Sequence, residues 1–491
     1  MDKRSEFDRR AFLKLSGLAA LAPGLAPFKR AEAQTPQPVT ADYTLHIGTA
    51  RIELAPGHVT TATAYNGQFP GPLVRLTEGR RVVVDIYNDT DIPEQLHWHG
   101  QNIPVDVDGA AEEGTPYIPA HGKRQISFTP GPPGLRFYHS HLIAGPNLGA
   151  GLYSGQAGPV YIEPRREPGR FDREVMLVLK EFEPTLSRGG DMAMDFLLPS
   201  TSDDKLKKAG ESAMAASLKR GMPHGYEVGY KLFSINGRML GHGEPVRVKS
   251  GERVLFHVLN ASATEIRSLA LPGHTFTVVA LDGNPVPTPR QVPALWIGTA
   301  ERVSAIVEMN HPGVWILGDL DDDDRKHGMG IVVEYAGAKG TPQWIKPVPP
   351  KWDYARFGDG SAHAPDETIE MLFAKKNAVL NGFNQWTING TAFSMKEMRP
   401  MFHVRRGRRY RLKMRNASDD IHPIHLHRHS FELTKIAGTA TAGVMKDVVM
   451  LGGYQELEVD FVADNPGLTL FHCHQQLHMD YGFMALIDYV M

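Results

Sequence analysis

The sequence predicts an all-β protein built as three tandem β domains. Three observations carry that prediction. At 491 residues the chain exceeds what one hydrophobic core holds. Short Val/Leu/Ile runs are punctuated by 49 Gly and 36 Pro, the composition of strands joined by turns. One unit also recurs three times along the chain. The balance of 53 Lys+Arg against 55 Asp+Glu leaves no basic surplus for nucleic acid.

The first element, residues 1–33, stands apart from the repeats. "DRRAFLKLSGLAALAPGLAP" pairs Arg9 with Arg10, continues with Phe12, Leu13 and Lys14, and then runs apolar until Pro23 and Gly24. That run is too short to span or stably anchor in a membrane. Ala31 and Ala33 follow in the small-residue pattern of a cleavage site. The stretch resembles a twin-arginine export signal, which implies delivery of a folded protein to the periplasm or the exterior by the twin-arginine machinery.

The repeats follow as "YNGQFPGPLVRLTEGRRVVVDIYN" from Tyr65, "INGRMLGHGEPVRVKSGERVLFHVLN" from Ile235 and "INGTAFSMKEMRPMFHVRRGRRYRLKMRN" from Ile388. Each opens on Asn-Gly, turns at a glycine (Gly79, Gly251, Gly407) and closes nine residues later on an Asn. The residues between alternate as in a half-buried strand. A Pro-Gly and another strand come later in each: "PGLRFYHSHL", "PGVWILGDL" and "PGLTLFHCHQ". The domains implied are 40–165, 170–340 and 365–491. A Pro- and Lys-bearing linker at 341–364 separates the last two.

The copies differ in their histidines. Nine and eleven residues after the closing Asn, the first has His97 and His99, the third His425 and His427, and the middle Leu269 and Leu271. After the Pro-Gly, the first has His139 and His141, the third His472 and His474, and the middle Gly318 and Leu320. Residues two apart on a strand share a face, so each His-x-His aims two imidazoles the same way. Imidazole is a preferred ligand of copper and zinc. Eight imidazoles converging from two domains make a polynuclear site, whereas a zinc site needs four ligands.

Alternation also explains the only cysteine, Cys473, which sits between His472 and His474. It faces away from them, into its own domain. His422 lies at an odd offset from His425, and His478 is close behind the cysteine, so both can join it. Two His and one Cys form the ligand set of a blue-copper electron-transfer site. A lone thiol in an exported protein has no disulfide partner, which fits a buried, metal-bound thiolate.

"HWHG", "HSH", "HPIHLH" and "HCHQQLH" together resemble the four copper motifs of the multicopper oxidases, and the resemblance covers essentially the whole mature chain. It implies three cupredoxin-like Greek-key β-sandwich domains and four copper ions. His422, Cys473 and His478 would hold a type 1 copper, and His97 and His425 a type 2 copper. His99, His139, His141, His427, His472 and His474 would hold a type 3 pair. The implied activity takes single electrons from a small donor (phenols, aromatic amines or metal ions) at the type 1 site, with His478 as the ligand whose exposed edge admits them. O2 is then reduced to water at the trinuclear site.

Where many relatives carry an axial methionine, this chain has Phe483. Met484, one residue on, points to the other side, which implies a three-coordinate type 1 copper of high potential. Asp108 matches a family acid that assists proton delivery to oxygen, or is a turn residue before Gly109. Met479 stands where some relatives have a second acid, leaving Asp480 as a weak substitute. Asp419 and Asp420 either steer a donor or are solvated loop residues. The insertion "SDDKLKKAGESAMAASLKRG", with Met192, Met194, Met214 and Met222 around it, suggests an amphipathic helix that serves as a surface ornament or a lid. "DDDDRKHG" (321–328) suggests a solvated hairpin tip. The sequence favours a laccase-like oxidase working as a monomer. A cuprous oxidase or ferroxidase is the alternative, and a non-enzymatic scaffold is disfavoured because every ligand position is filled.

Overall fold

Alternation of apolar residues decides which face of each strand turns inward. In Arg409–Asn416 the buried positions are Tyr410, Leu412, Met414 and Asn416, with half-buried charges between them. A computed structural model of the chain describes residues 39–165, 170–187, 197, 203–218, 225–348, 351–360 and 362–490. Residues 1–33, read above as resembling an export signal, lie outside the described residues, as do Met192, Met194, Met222 and the side chain of Met214.

Strands of this kind assemble into paired sheets. In the third domain one sheet runs, in hydrogen-bonded order, Phe383–Ile388, Glu367–Leu380, Arg409–Asn416, Glu456–Val462, Phe431–Ile436, Thr439–Lys446. Its companion runs Phe402–Arg405, Met484–Val490, Thr469–Cys473, His422–Leu426, Val448–Leu451. The middle domain repeats both orders strand for strand, and the first keeps four strands of each. The three domains are cupredoxin-like β-sandwiches. Among the described residues no helix is long and apolar enough to cross a membrane.

The closing asparagine of each repeat is a buried latch. Asn88, Asn260 and Asn416 have no exposed surface. Their Oδ1 atoms accept from the backbone N–H two residues on, at 3.0, 3.0 and 2.9 Å. Their Nδ2 groups donate to Ile92 O, Glu265 O and Asp420 O, each at 2.8 Å. An unpaired buried amide is costly, so the latch fixes the path of the chain just before the His-x-His segments.

Two segments differ from expectation. The stretch read as a linker packs: Trp352, Tyr354 and Phe357 are each 1% exposed, and Tyr354 Oη donates to Glu301 at 2.6 Å. Residues 322–326 form a short helix rather than a hairpin tip, because Asp321 caps it by accepting from the backbone N–H groups of Asp323 and Asp324. Asp324 turns inward to Arg267. The insertion does contain a helix, Asp204–Leu218, lying against the third domain at Ala417 and Tyr454.

Candidate metal centre

Strand pairing brings the histidines together. His97–His99 pairs antiparallel with Gly134–His139, so that His97 stands opposite His139. His422–Leu426 pairs with Thr469–Cys473, so that His425 stands opposite His472. The two domains thus present the same construction to one another. Sequence positions 97 to 474 converge on one buried cluster, every imidazole at most 2% exposed.

The ligand assignment that the resemblance implies divides this cluster into two triads and a pair, while ring contacts also run between the groups, His97 to His427 at 4.1 Å and His99 to His425 at 3.9 Å. His141, His427 and His472 bring ligand nitrogens within 4.8 Å of one another. In the other triad, His474 has ring centroids 4.9 Å from His99 and 5.1 Å from His139. His97 and His425 form the remaining pair, 5.9 Å apart. Each group takes imidazoles from both the first and the third domain.

Hydrogen bonds to acceptor oxygens set which ring nitrogen keeps a lone pair. The Nδ1–H groups of His97, His425, His139 and His472 donate to backbone oxygens of Asp108, Asp447, Ser140 and Cys473, at 2.7–3.0 Å. His427 Nδ1 donates to Asp108 Oδ2 at 2.9 Å. His99 is turned around: Nε2 donates to Asp447 Oδ1 at 3.0 Å, leaving Nδ1 inward, 3.4 Å from His139 Nε2. Among the described residues, His97 Nε2, His141 Nε2, His425 Nε2 and both nitrogens of His474 have no hydrogen-bond partner.

Electrostatics agree with a ligand set. Burial first, and neighbouring imidazoles second, hold His99, His139, His427, His472 and His474 well below the ordinary imidazole range. Burial also pulls His141 down, but Glu112 outweighs it, with Oε2 3.3 Å from Nδ1, and the net shift is upward. Buried imidazoles whose lone pairs converge on a small volume fit copper, and the residues present can hold it.

The cysteine faces the other way. Cys473 Sγ lies 3.6 Å from His422 Nδ1 and 3.4 Å from His478 Nδ1, and the three ligand atoms fall within 4.8 Å of one another. Burial pushes the thiol well above its usual range, so binding a metal there releases its proton. Phe483 packs its ring 4.6 Å from His422, while Met484 lies opposite His472 and packs with Leu470, Met479 and Leu486.

The edge expected on His478 is narrow: the residue is 2% exposed, and Trp386 lies over it with ring centroids 4.1 Å apart. Asp419 and Asp420 are not free loop residues: Lys375 Nζ holds them at 2.5 and 2.8 Å. Asp480 accepts from the backbone of Ala144 and Gly145 and from Gln476, and burial raises its carboxyl to about 8.

Asp108 sits between the domains, its Oδ2 3.1 Å from His97 Nδ1 and 2.9 Å from His427 Nδ1. Gly109, at φ 100, makes that approach possible, since a Cβ there would meet Leu96 O at 1.9 Å. Sequence reasoning missed Glu112, Glu113, Asp447, Arg136 and Arg302. Glu113 accepts from Leu470 N at 2.6 Å. Arg302, from the middle domain, grips Asp447 with two bonds of 2.7 and 2.5 Å. The missed signal was Lys446-Asp447, two charges inside the apolar run "GVMKDVVML".

Comparison with known proteins agrees with this construction. Models of the multicopper oxidase family match residues 46–167, 207–330 and 368–489. The chain is 31% identical over 496 residues to multicopper oxidase MmcO of Mycobacterium tuberculosis, covering 97% of this chain and 92% of that one. It is 24% identical to Laccase-3 of Thanatephorus cucumeris, covering 90% of each. The crystal structure of a multi-copper oxidase from Pseudomonas thermotolerans superposes with a TM-score of 0.68 at 25% identity, covering 92% of this chain and all of that one. Paired triads shared between two sandwiches, a His2Cys set behind them and relatives along its whole length lead to one conclusion: the chain belongs to the multicopper oxidase family.

Proposed function

We propose that the protein is a laccase-like oxidase that draws single electrons from phenolic or similar donors at the His422/Cys473/His478 site and reduces O2 to water at the histidine cluster. Copper bound in these sets supplies the one-electron chemistry, four electrons being gathered for each O2. The chain supplies the rest. Cys473 is joined through its own backbone to His472 and His474, a covalent route from the donor site to both triads. Asp108, bonded to imidazoles of both domains, is placed to hand protons to reduced oxygen. One chain provides every ligand, so a monomer suffices.

The reading rests on Phe483. Its ring packs 4.6 Å from that of His422, at the sequence position where many relatives carry an axial methionine, and Met484 packs instead with Leu470, Met479 and Leu486. Without that weak donor Cu(II) is less stabilised and the site is a stronger oxidant, which suits phenols. Aerobic turnover of 2,6-dimethoxyphenol and of Cu(I) by the copper-loaded protein tests it. Faster phenol turnover is expected; a tenfold preference for Cu(I) or Fe(II) would overturn the reading in favour of a metal oxidase.

Residues 1–33 act, in this proposal, as a twin-arginine signal that places the enzyme in the periplasm or outside the cell. Replacing Arg9 and Arg10 by lysines should strand it in the cytoplasm; unchanged export would refute the signal.

A further inference from the structure

His141 is held less directly than its fellows. It follows His139, the last paired residue of its strand, and so lies outside the ladder. The rings of His97, His99, His139, His425, His427 and His472 are each fixed by a hydrogen bond to an acceptor oxygen. The His141 ring has none. Its Nδ1 stands 3.3 Å from Glu112 Oε2 but misaligned, and both atoms lack a hydrogen-bond partner among the described residues. His474 shares that lack at its ring, but its backbone N–H donates to Pro423 O at 2.7 Å. The place of His141 in the triad with His427 and His472 therefore depends on the path of the loop that follows it, residues 142–150, which contains no strand or helix.

That loop is stapled from the third domain. Gln476, with no exposed surface, donates from Nε2 to Leu142 O at 3.0 Å and accepts at Oε1 from Leu152 N at 3.0 Å, gripping both ends of the loop. Asp480 Oδ2 accepts from Ala144 N and Gly145 N at 3.0 and 2.7 Å, and its Oδ1 accepts from Gln476 Nε2 at 2.7 Å. Lys180 of the middle domain donates to Leu152 O. Gly151 leaves room for the staple: at φ 56, a Cβ there would stand 2.9 Å from Gln476 Oε1. Gln476 and Asp480 are four apart on one helical turn and share a face, while His478 between them points the other way, toward Cys473 and His422.

We propose that Gln476 and Asp480 are positioning residues for the histidine cluster: they fix the loop of the first domain so that His141 reaches its triad. One turn of helix then serves two centres, the Cys473 site through His478 on one face and the cluster through the staple on the other. Glycine loses the most freedom on ordering, so Gly145 and Gly149 make this a loop that needs outside bonds to keep a single path. An amide suits the task at 476, because it offers an acceptor to one end of the loop and a donor to the other. A carboxylate there would lose the donor and face Asp480. The inference does not depend on which donor the enzyme oxidises.

Gln476→Leu removes both loop bonds with little change in size, and Gly151→Ala obstructs the staple from the loop side. In the full-length protein each should weaken copper binding at the cluster about tenfold or more, read by chelator competition as the copper in excess of the blue site. The blue band and its redox potential should hold in both, although Gln476 lies on the helix of His478. Asp480→Asn, which keeps an oxygen for the loop N–H groups, should lose less cluster copper than Asp480→Ala. In the copper-free protein, the amides of Ala144, Gly145 and Leu152 should exchange with deuterium about tenfold faster in Gln476→Leu. Cluster copper held as tightly as in the wild type despite faster exchange would overturn the proposal, since the loop would then not place His141. Unchanged exchange would refute the staple itself. Loss of the blue band with the cluster intact would also overturn it, leaving the pair as supports of His478 alone. Should Gln476→Leu fail to fold, Gly151→Ala and the order of the two Asp480 variants decide on the same readouts.

Discussion

The middle and third domains use the same corner of the sandwich for opposite ends. In the third, the strand Thr469–Cys473 ends on Cys473, and three residues later the short helix Gln476–Asp480 carries His478 at its centre. In the middle domain the strand Val314–Gly318 is followed by Asp319, and three residues later the helix Asp322–Lys326 carries Asp324 at its centre. Six residues after the closing Asn, His422 in one corresponds to Ile266 in the other, next to Arg267. Arg267, 1% exposed, bonds Glu181 at 2.6 Å and Asp324, and lies 3.6 Å from Asp319 and 3.5 Å from Glu265. Where one domain gathers ligands for a metal, the other gathers carboxylates around a cation of its own chain. The site is a place where the sandwich tolerates buried charge, and it needs a cation of one kind or the other.

The middle domain is not idle. Asp282 Oδ2 accepts from the backbone of Asp447 and Val448 at 3.2 and 3.1 Å, and Arg302 holds the Asp447 carboxylate that fixes His99. Having none of the His-x-His pairs of its own, it braces those of its neighbours.

Removing the internal cation should have the largest effect. Arg267→Met leaves buried carboxylates unpaired and should cost about 3–5 kcal/mol, read as a lowered midpoint in urea. Cys473→Ser, at the matching corner, should abolish the blue colour and leave the midpoint of the copper-free protein nearly unchanged. Equal stability losses in the two would break the comparison.

Arg302→Met probes the brace. With Asp447 released, His99 loses its fixed orientation, and copper bound at the histidine cluster and O2 consumption should fall at least tenfold, about 1.4 kcal/mol or more. The blue site, built only from the third domain, should remain. Full copper content with full oxygen consumption would show that the middle domain is a spacer.

Phe483→Met should stabilise Cu(II) and lower the potential of the blue site by ~0.06 V or somewhat more, tenfold in a one-electron equilibrium. Met484→Leu should leave it nearly unmoved, since Met484 packs against Leu470 and Leu486. Redox titration of the blue band distinguishes the two.

The smallest effect lies with Glu265, which burial chiefly raises to about 7. A carboxyl raised on folding keeps its proton in the native state while the unfolded chain has lost it, so stability falls as pH rises from its ordinary range through 7. Glu265→Gln should flatten the decline in unfolding free energy between pH 6 and pH 8 by about 1 kcal/mol, read from urea midpoints; an unchanged slope would place the titration elsewhere.

The histidines and Cys473 were legible because their information is local. Two-residue alternation sets the faces, and repetition shows which positions matter. Apart from Asp108, the supporting groups were not, because each acts across the chain: Glu113 meets Leu470 at a separation of 357 residues, and Asp447 meets His99 at 348. Nothing in "FNQWTING" tells that Trp386 will lie on His478, since that depends on how the strand Phe383–Ile388 stacks beside the helix Gln476–Asp480. The helix at 322–326 was legible in principle. Asp321 is a capping residue, with acids in the first turn and Arg325 and Lys326 in the last, the polarity a helix dipole favours. Reading four aspartates as a solvated run overlooked it.

Each triad draws on residues near both ends of the folded chain, and this sets an order of events during maturation. A nascent or clipped molecule lacking either terminal sandwich can assemble neither triad, however well its remaining parts fold. Oxygen-reducing capacity is therefore withheld until the polypeptide is complete, whereas the His422/Cys473/His478 site needs only the last domain. An incomplete molecule that retains that domain could accept single electrons but would have no cluster to pass them to.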